Sequence, residues 1–118
     1  MENTHNSFYN KTLEFSHKIM ILCDQLKKSG LDYSVIKQML RSATSIGANF
    51  AESRGAVSDA DYLNKISISY KESLETKYWL DLFLLGKYIS KEVYDIHYTD
   101  CDELSKILFT TIKKVKSK

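Results

Sequence analysis

The sequence predicts an all-α fold, an antiparallel up-down-up-down four-helix bundle, and three observations predict it. The 118 residues contain no proline and only four glycines, Gly30, Gly47, Gly55 and Gly86. Three of these glycines stand where long helices would have to break, and without proline nothing forbids helix between them. Apolar residues recur at steps of three and four, the period of a helix face rather than of a strand. A chain of 118 residues builds one hydrophobic core but not two, so residues 1–118 are read as a single domain.

The first helix is expected over about residues 7–28, because Phe8, Thr12, Phe15, Ile19, Leu22 and Leu26 step alternately by four and three and share one stripe. Lys27 and Lys28 then place cations at its C-terminal dipole, Gly30 offers a left-handed C′ residue, and a turn follows at Leu31–Asp32. The second helix runs from about Tyr33 to Arg54, with Ile36, Leu40, Ala43, Gly47 and Phe50 as its core stripe and Gly55 as terminator. Ser58 reads as an N-cap, with Asp59 and Asp61 as an acidic first turn, and opens a third helix over about 59–86. Its core stripe is Ile66, Tyr70, Ser73, Leu80 and Leu84. Gly86 and Ser90 mark the next break. The last helix carries Val93, Ile96 or His97, Leu104, Ile107, Leu108 and Ile112. Long helices joined by short loops must lie antiparallel to their chain neighbours.

Composition is ordinary for a globular protein, 43% hydrophobic and 27% charged, and the formal net charge is only +2. Nucleic-acid binding is therefore not implied by overall charge. The basic excess is local: Lys113, Lys114, Lys116 and Lys118 crowd the C-terminus, as a solvated helix end or as a polyanion-binding arm. Cys23 and Cys101 have neither zinc-ligand spacing nor a disulfide framework, so a reducing, cytoplasmic compartment is expected. The N-terminus has no apolar signal region, and the greasiest run, residues 78–86, is too short to span a bilayer and contains Asp81. No membrane partner is expected.

Enzyme chemistry fails on spacing. A di-iron carboxylate bundle needs Glu-x-x-His on two different helices, and the sequence does not supply that: Glu2-x-x-His5 and Glu14-x-x-His17 both fall at the start of the chain. Glu72 and Glu75 are a close carboxylate pair on one helical face, without histidine partners, so no metal is expected. Neither Arg41 nor Arg54 is followed closely by histidine, which removes the helical ribonuclease signature. His5, His17 and His97 are scattered, and each reads as a surface residue rather than a general base. The stretch from Gly47 to Gly55 lacks the Lys-Ser/Thr ending and preceding strand of a phosphate loop. No catalytic residue and no cofactor are expected.

Helices two and three each carry a second unusual face. Taking about 100° per residue, Arg41, Ser45, Ala48 and Glu52 fall in one sector opposite the core stripe of helix two. On helix three Ile68, Glu72, Glu75 and Trp79 do the same, and from Tyr78 to Leu85 apolar residues appear all round. A helix apolar all round is buried on two sides, and one bundle buries only one. A homo-oligomer is therefore expected, with Ile68, Trp79, Leu82 and Phe83 at the subunit interface. The charged residues have two readings. Arg41, Asn49, Glu52, Glu72 and Glu75 form a polar network that fixes register between helices or subunits. Alternatively Arg41, Arg54, Lys65 and Lys71, with Lys113 and Lys114, form a phosphate-contacting strip, although Glu52, Glu72 and Glu75 lie close enough to neutralise it.

Residues Leu40 to Phe83 resemble the bacterial four-helix bundle proteins related to those encoded in 23S ribosomal RNA intervening sequences. The resemblance rests on Arg-Ser-x-x-Ser-Ile-x-x-Asn at 41–49, Ala-Glu at 51–52, Ser58 with Asp61, and Lys-Glu-x-x-Glu-Thr-x-Tyr-Trp-Leu at 71–80. It covers the middle third of the chain in detail and the remainder by helix arrangement. It implies an antiparallel four-helix bundle that assembles into a ring-like homo-oligomer, typically a pentamer. Similar proteins include the accessory protein of diversity-generating retroelements, a basic pentamer that binds nucleic acid and a reverse transcriptase. This chain departs from that pattern in its net charge of +2 and its acidic third helix. The expectation is a non-enzymatic oligomeric scaffold contacting RNA or DNA; the alternative is a module that recruits a partner protein without nucleic acid.

Overall fold

A computed structural model describes residues 4–118, with side chains from residue 6 onward; His5 is thus outside the described side chains. The described residues form four helices, α1 (Thr4–Leu26), α2 (Tyr33–Ser53), α3 (Asp59–Leu85) and α4 (Lys91–Lys116). Contacts join α1 to α2, α2 to α3, α3 to α4 and α4 back to α1, while the diagonal pairs do not approach. The helices therefore stand as the corners of a square in chain order, up-down-up-down, in a body of 47 × 28 × 20 Å. The α1–α2 and α3–α4 turns lie at one end, and the α2–α3 turn lies at the other with the start of α1 and the end of α4.

Helix starts are chemically marked. The Asp32 carboxylate accepts the Ser34 N–H at 2.8 Å. Ser58 accepts the N–H of Asp61 at 3.0 Å, and Ser90 that of Val93 at 3.1 Å, each satisfying a donor with no intrahelical partner. α3 ends at Gly86, where the sequence places the break. Tyr88 N–H reaches the Phe83 carbonyl at 2.9 Å and Lys87 N–H the Leu84 carbonyl at 3.0 Å, so Lys87, not Gly86, takes the left-handed position, with φ 63°. Gly86 is required for another reason: a Cβ there would stand 2.8 Å from the Tyr88 ring, which folds over it.

The α1 stripe of Phe8, Thr12, Phe15, Ile19, Leu22 and Leu26 is wholly buried. In α2 and α3 the core sector is displaced from the expected stripes. Met39, Ser42 and Ile46 are inside on α2, with Leu40 only packed at the margin, because both α1 and α3 cover this helix. On α3, Ser69, Thr76 and Phe83 are inside. Phe83, expected at a subunit interface, is 1% exposed and belongs to the protomer's own core. On α4, Ile96 and Ile107 are exposed while Cys101 and Ser105 take the interior.

The buried small residues are hydrogen-bonded, as burial of hydroxyls requires. Thr76 donates to Ser42 at 2.9 Å, Ser69 to the Ile46 carbonyl at 2.6 Å, and Ser105 to Ser73 at 2.7 Å. These bonds tie α3 to α2 on one side and to α4 on the other. Small side chains are what let the backbones come near enough to make them.

Candidate functional site

Two polar regions gather the residues that the sequence singles out. The first is the outer seam between α2 and α3. Arg41 donates from Nη1 to Glu72 Oε2 at 2.6 Å and from Nη2 to Glu75 Oε2 at 2.5 Å, so one guanidinium bridges two carboxylates. Glu72 and Glu75 lie one turn apart on α3 and face the same guanidinium because α2 and α3 run side by side. These hydrogen bonds hold the Arg41 guanidinium even more firmly protonated than usual. Glu75 Oε2 also accepts the Trp79 indole N–H at 3.1 Å. Trp79 is partly buried against the protomer's own core, edge-on to Tyr78 at 5.2 Å between centroids. Further along the seam Lys65 pairs with Glu52 at 2.9 Å, and that bond raises the ammonium's pKa. Asn49 is not part of this network. Its side-chain amide donates to the Ser45 carbonyl at 2.9 Å, within its own helix, which corrects its expected role across helices.

The second region is a cleft of about 790 Å³ at the end of the bundle that holds the α2–α3 turn. The C-terminus of α2, the N-terminus of α3, the last turns of α4 and Asn6 of α1 line it. Arg54, Lys114 and Lys118 stand around it, with Asp59 as the acidic member. Arg54 is held over the Tyr9 ring at 4.3 Å to the centroid, a cation–π contact that fixes the guanidinium against α1. Asp59 and Ser58, at the N-terminal end of α3, also line the cleft, so the positive end of that helix's dipole adds to the three cations.

The structure thus divides the expected phosphate strip. Arg54 and Lys114 come together, joined by Lys118 and by Tyr9 beneath Arg54. Arg41 and Lys65 are tied to carboxylates on the α2–α3 seam. Lys71 is exposed on α3 away from the cleft, and Lys113 lies over the Phe109 ring at 5.6 Å. Arg54 and Lys114 line one cleft from sixty positions apart, so their proximity to it has no local signature; Lys118 lies one helical turn beyond Lys114. Sequence reasoning also missed the ion pairs that bind α4 to its neighbours: Lys77–Asp102 at 2.8 Å, Lys11–Glu103 at 2.8 Å and Lys18–Asp100 at 3.0 Å.

Of the four residues expected at a subunit interface, Ile68 is half-buried on the outer side of α3, Leu82 is 38% exposed, Trp79 is placed as above, and Phe83 is internal. The large apolar side chains that α3 does leave in water are Leu74, Tyr78, Leu82 and Leu85. Cys23 and Cys101 are free and buried, and burial pushes their thiols up to about 11 and about 12, so neither is a thiolate nucleophile at neutral pH. Among the described residues no three His, Cys, Asp or Glu side chains gather as a metal site, and no helix is long and apolar enough to cross a membrane.

A family model described as 23S rRNA-intervening sequence protein matches residues 4–110. A solved structure from Bacteroides thetaiotaomicron VPI-5482, described as a protein with unknown function from the S23 ribosomal protein family, is 42% identical. The match covers 90% of this chain and 98% of that one, with a TM-score of 0.87. No curated protein matches the chain.

Proposed function

This chain belongs to the 23S rRNA-intervening sequence protein family, and from that premise we propose that it is a non-enzymatic, homo-oligomeric scaffold that contacts RNA at one end of each bundle. The observation that carries the assembly is apolar area left in water on two opposite faces. On the α3 side Tyr78 is 59% and Leu85 80% exposed; on the α1 side Met20 is 54% exposed, beside Leu13 and Ile21. Large apolar side chains left in water in such numbers mark an interaction surface, and a ring of copies covers them. Five subunits is the number that the family resemblance implies. Light scattering on the purified chain tests this reading, and a monomer mass at micromolar concentration refutes it.

The RNA contact rests on the cleft of Arg54, Lys114 and Lys118. In a ring this end of every subunit would face the same way, so modest local charge is multiplied by subunit number. Binding to a fluorescent single-stranded RNA should weaken as salt rises, with a slope of about 0.7 per phosphate neutralised. The competing reading, a ring that recruits a partner protein, draws support from the neutralisation of Arg41 and Lys65 by Glu72, Glu75 and Glu52. Absence of RNA binding even at low salt would favour it.

A further inference from the structure

We infer that subunits join head to tail, the α1–α2 face of one copy receiving the exposed α3 stripe of the next. This inference rests on the homo-oligomer reading above and names the surfaces that reading leaves open. The receiving face is a groove of about 420 Å³ between α1 and α2, floored by Ile36 and Cys23 and walled by Met20, Ile21, Tyr33 and Leu40. Lys27 and Lys37 are its cations; Asp24 and His17 also line it. Lys27 stands over the Tyr33 ring at 5.6 Å, at the mouth of the groove.

The inserting face is a stripe on α3. Leu74, Tyr78, Asp81 and Leu85 follow one another at steps of four, three and four, which places them in one row on the side turned toward α4. All four are exposed. Asp81 is the acid in the row and accepts the Tyr94 hydroxyl at 2.6 Å. Lys71, three residues before Leu74, continues the row as an exposed cation, while Lys77 and Lys106 on that side are both bound to Asp102.

Three features fit the two faces together. Lys37 at the groove and Asp81 in the stripe carry opposite charges, which pairs these two positions. The two faces lie on different sides of the square of helices, so the contact is heterologous and propagates in one direction, closing into a ring when the rotation between neighbours divides a full turn. Their levels also match when counted from the end that holds the α1–α2 and α3–α4 turns. At 1.5 Å per residue, Lys37 lies about 6 Å from the start of α2 at Tyr33, and Asp81 about 6 Å from the end of α3 at Leu85. Met20 is about 9 Å from the end of α1 at Leu26, and Tyr78 about 10 Å from Leu85. Subunits related by rotation about an axis along the bundle meet at equal heights, which brings Lys37 against Asp81 and Met20 against Tyr78.

The test uses the full chain with single cysteines at two half-exposed positions, Met20→Cys and Tyr78→Cys; the native thiols are buried and serve as an unreactive background. After mild oxidation of the mixed variants, a covalent dimer should appear on a denaturing gel, and neither variant alone should dimerise. Self-linking of either single variant would show like faces meeting and overturn the inference. So would an assembly of native mass whose mixed variants fail to link. A monomer mass for the unmodified chain would instead remove the homo-oligomer reading itself. In a second arm, Lys37→Glu and Asp81→Lys should each weaken assembly about tenfold, and the double variant should regain most of the loss. A double variant no better than the singles would count against the pairing, with melting curves confirming that each variant is folded.

Discussion

Gly47 of α2 sits so close to Thr12 of α1 that a Cβ there would lie 2.7 Å from the threonine hydroxyl oxygen and 2.9 Å from its Cβ. The hydroxyl is itself engaged, donating to the Tyr9 carbonyl at 2.6 Å, so it has no free direction in which to retreat. Gly47→Ala should therefore destabilise the bundle by about 1–3 kcal/mol, although alanine is the better helix former by about 1 kcal/mol. A double-mutant cycle with Thr12→Ala, followed by urea denaturation, should show part of that loss restored. Additive losses would mean that the two side chains do not meet.

Lys87 adopts φ 63°, a conformation that costs an L side chain about 1–2 kcal/mol and glycine almost nothing. Lys87→Gly relieves that strain but makes the unfolded chain looser. The expected net gain is up to about 1 kcal/mol, read as a melting temperature a few degrees higher. The opposite sign is expected for Gly86→Ala, whose Cβ meets the Tyr88 ring.

The Asp102 carboxyl is held below the usual range by hydrogen bonds from Lys77 and Lys106. A depressed folded-state pKa contributes stability that is present above the unfolded value, about 3.9, and is lost as pH falls through the folded value. Asp102→Asn should therefore be less stable than the native chain at pH 7, with the gap closing progressively below about pH 4. Stability curves that stay parallel down to pH 2 would place the effect elsewhere.

Arg41 and Arg54 should separate cleanly by assay. Arg41 spans two carboxylates, so Arg41→Ala should cost about 1 kcal/mol or less of stability, the pair being half-exposed, and leave RNA affinity unchanged. Arg54→Ala should do the reverse, weakening RNA binding and flattening its salt dependence while denaturation moves little. Reversed outcomes would move the RNA contact to the α2–α3 seam.

Much of the bundle was legible because its signals are local. The α1 stripe from Phe8 to Leu26 is buried residue for residue, and Ser58 and Ser90 mark helix starts by side-chain chemistry that acts within three residues. Where small side chains replace large ones, the stripe loses its contrast. Ser42, Ser69 and Thr76 are interior, and they look polar in the sequence. On α3, apolar from Tyr78 to Leu85, periodicity cannot say which member turns inward, and Phe83 does so in place of the expected Leu84. The end cleft was hidden for a different reason. Arg54 and Lys114 line one cleft only because α2 and α4 both finish at the same end of the bundle, a fact of topology that no spacing along the chain records.

Three of the four seams join helices consecutive in the chain, whereas the α1–α4 seam, tied at its rim by Lys11–Glu103 and Lys18–Asp100, joins the first to the last. Its closure alone must draw distant parts of the chain together, and the entropy of that large loop is paid for by the thinnest contact in the molecule. In kinetic terms the bundle should assemble quickly from neighbouring hairpins and seal last along α1. Native-state hydrogen exchange should then find α1 and α4 opening from each other before either releases its chain neighbour.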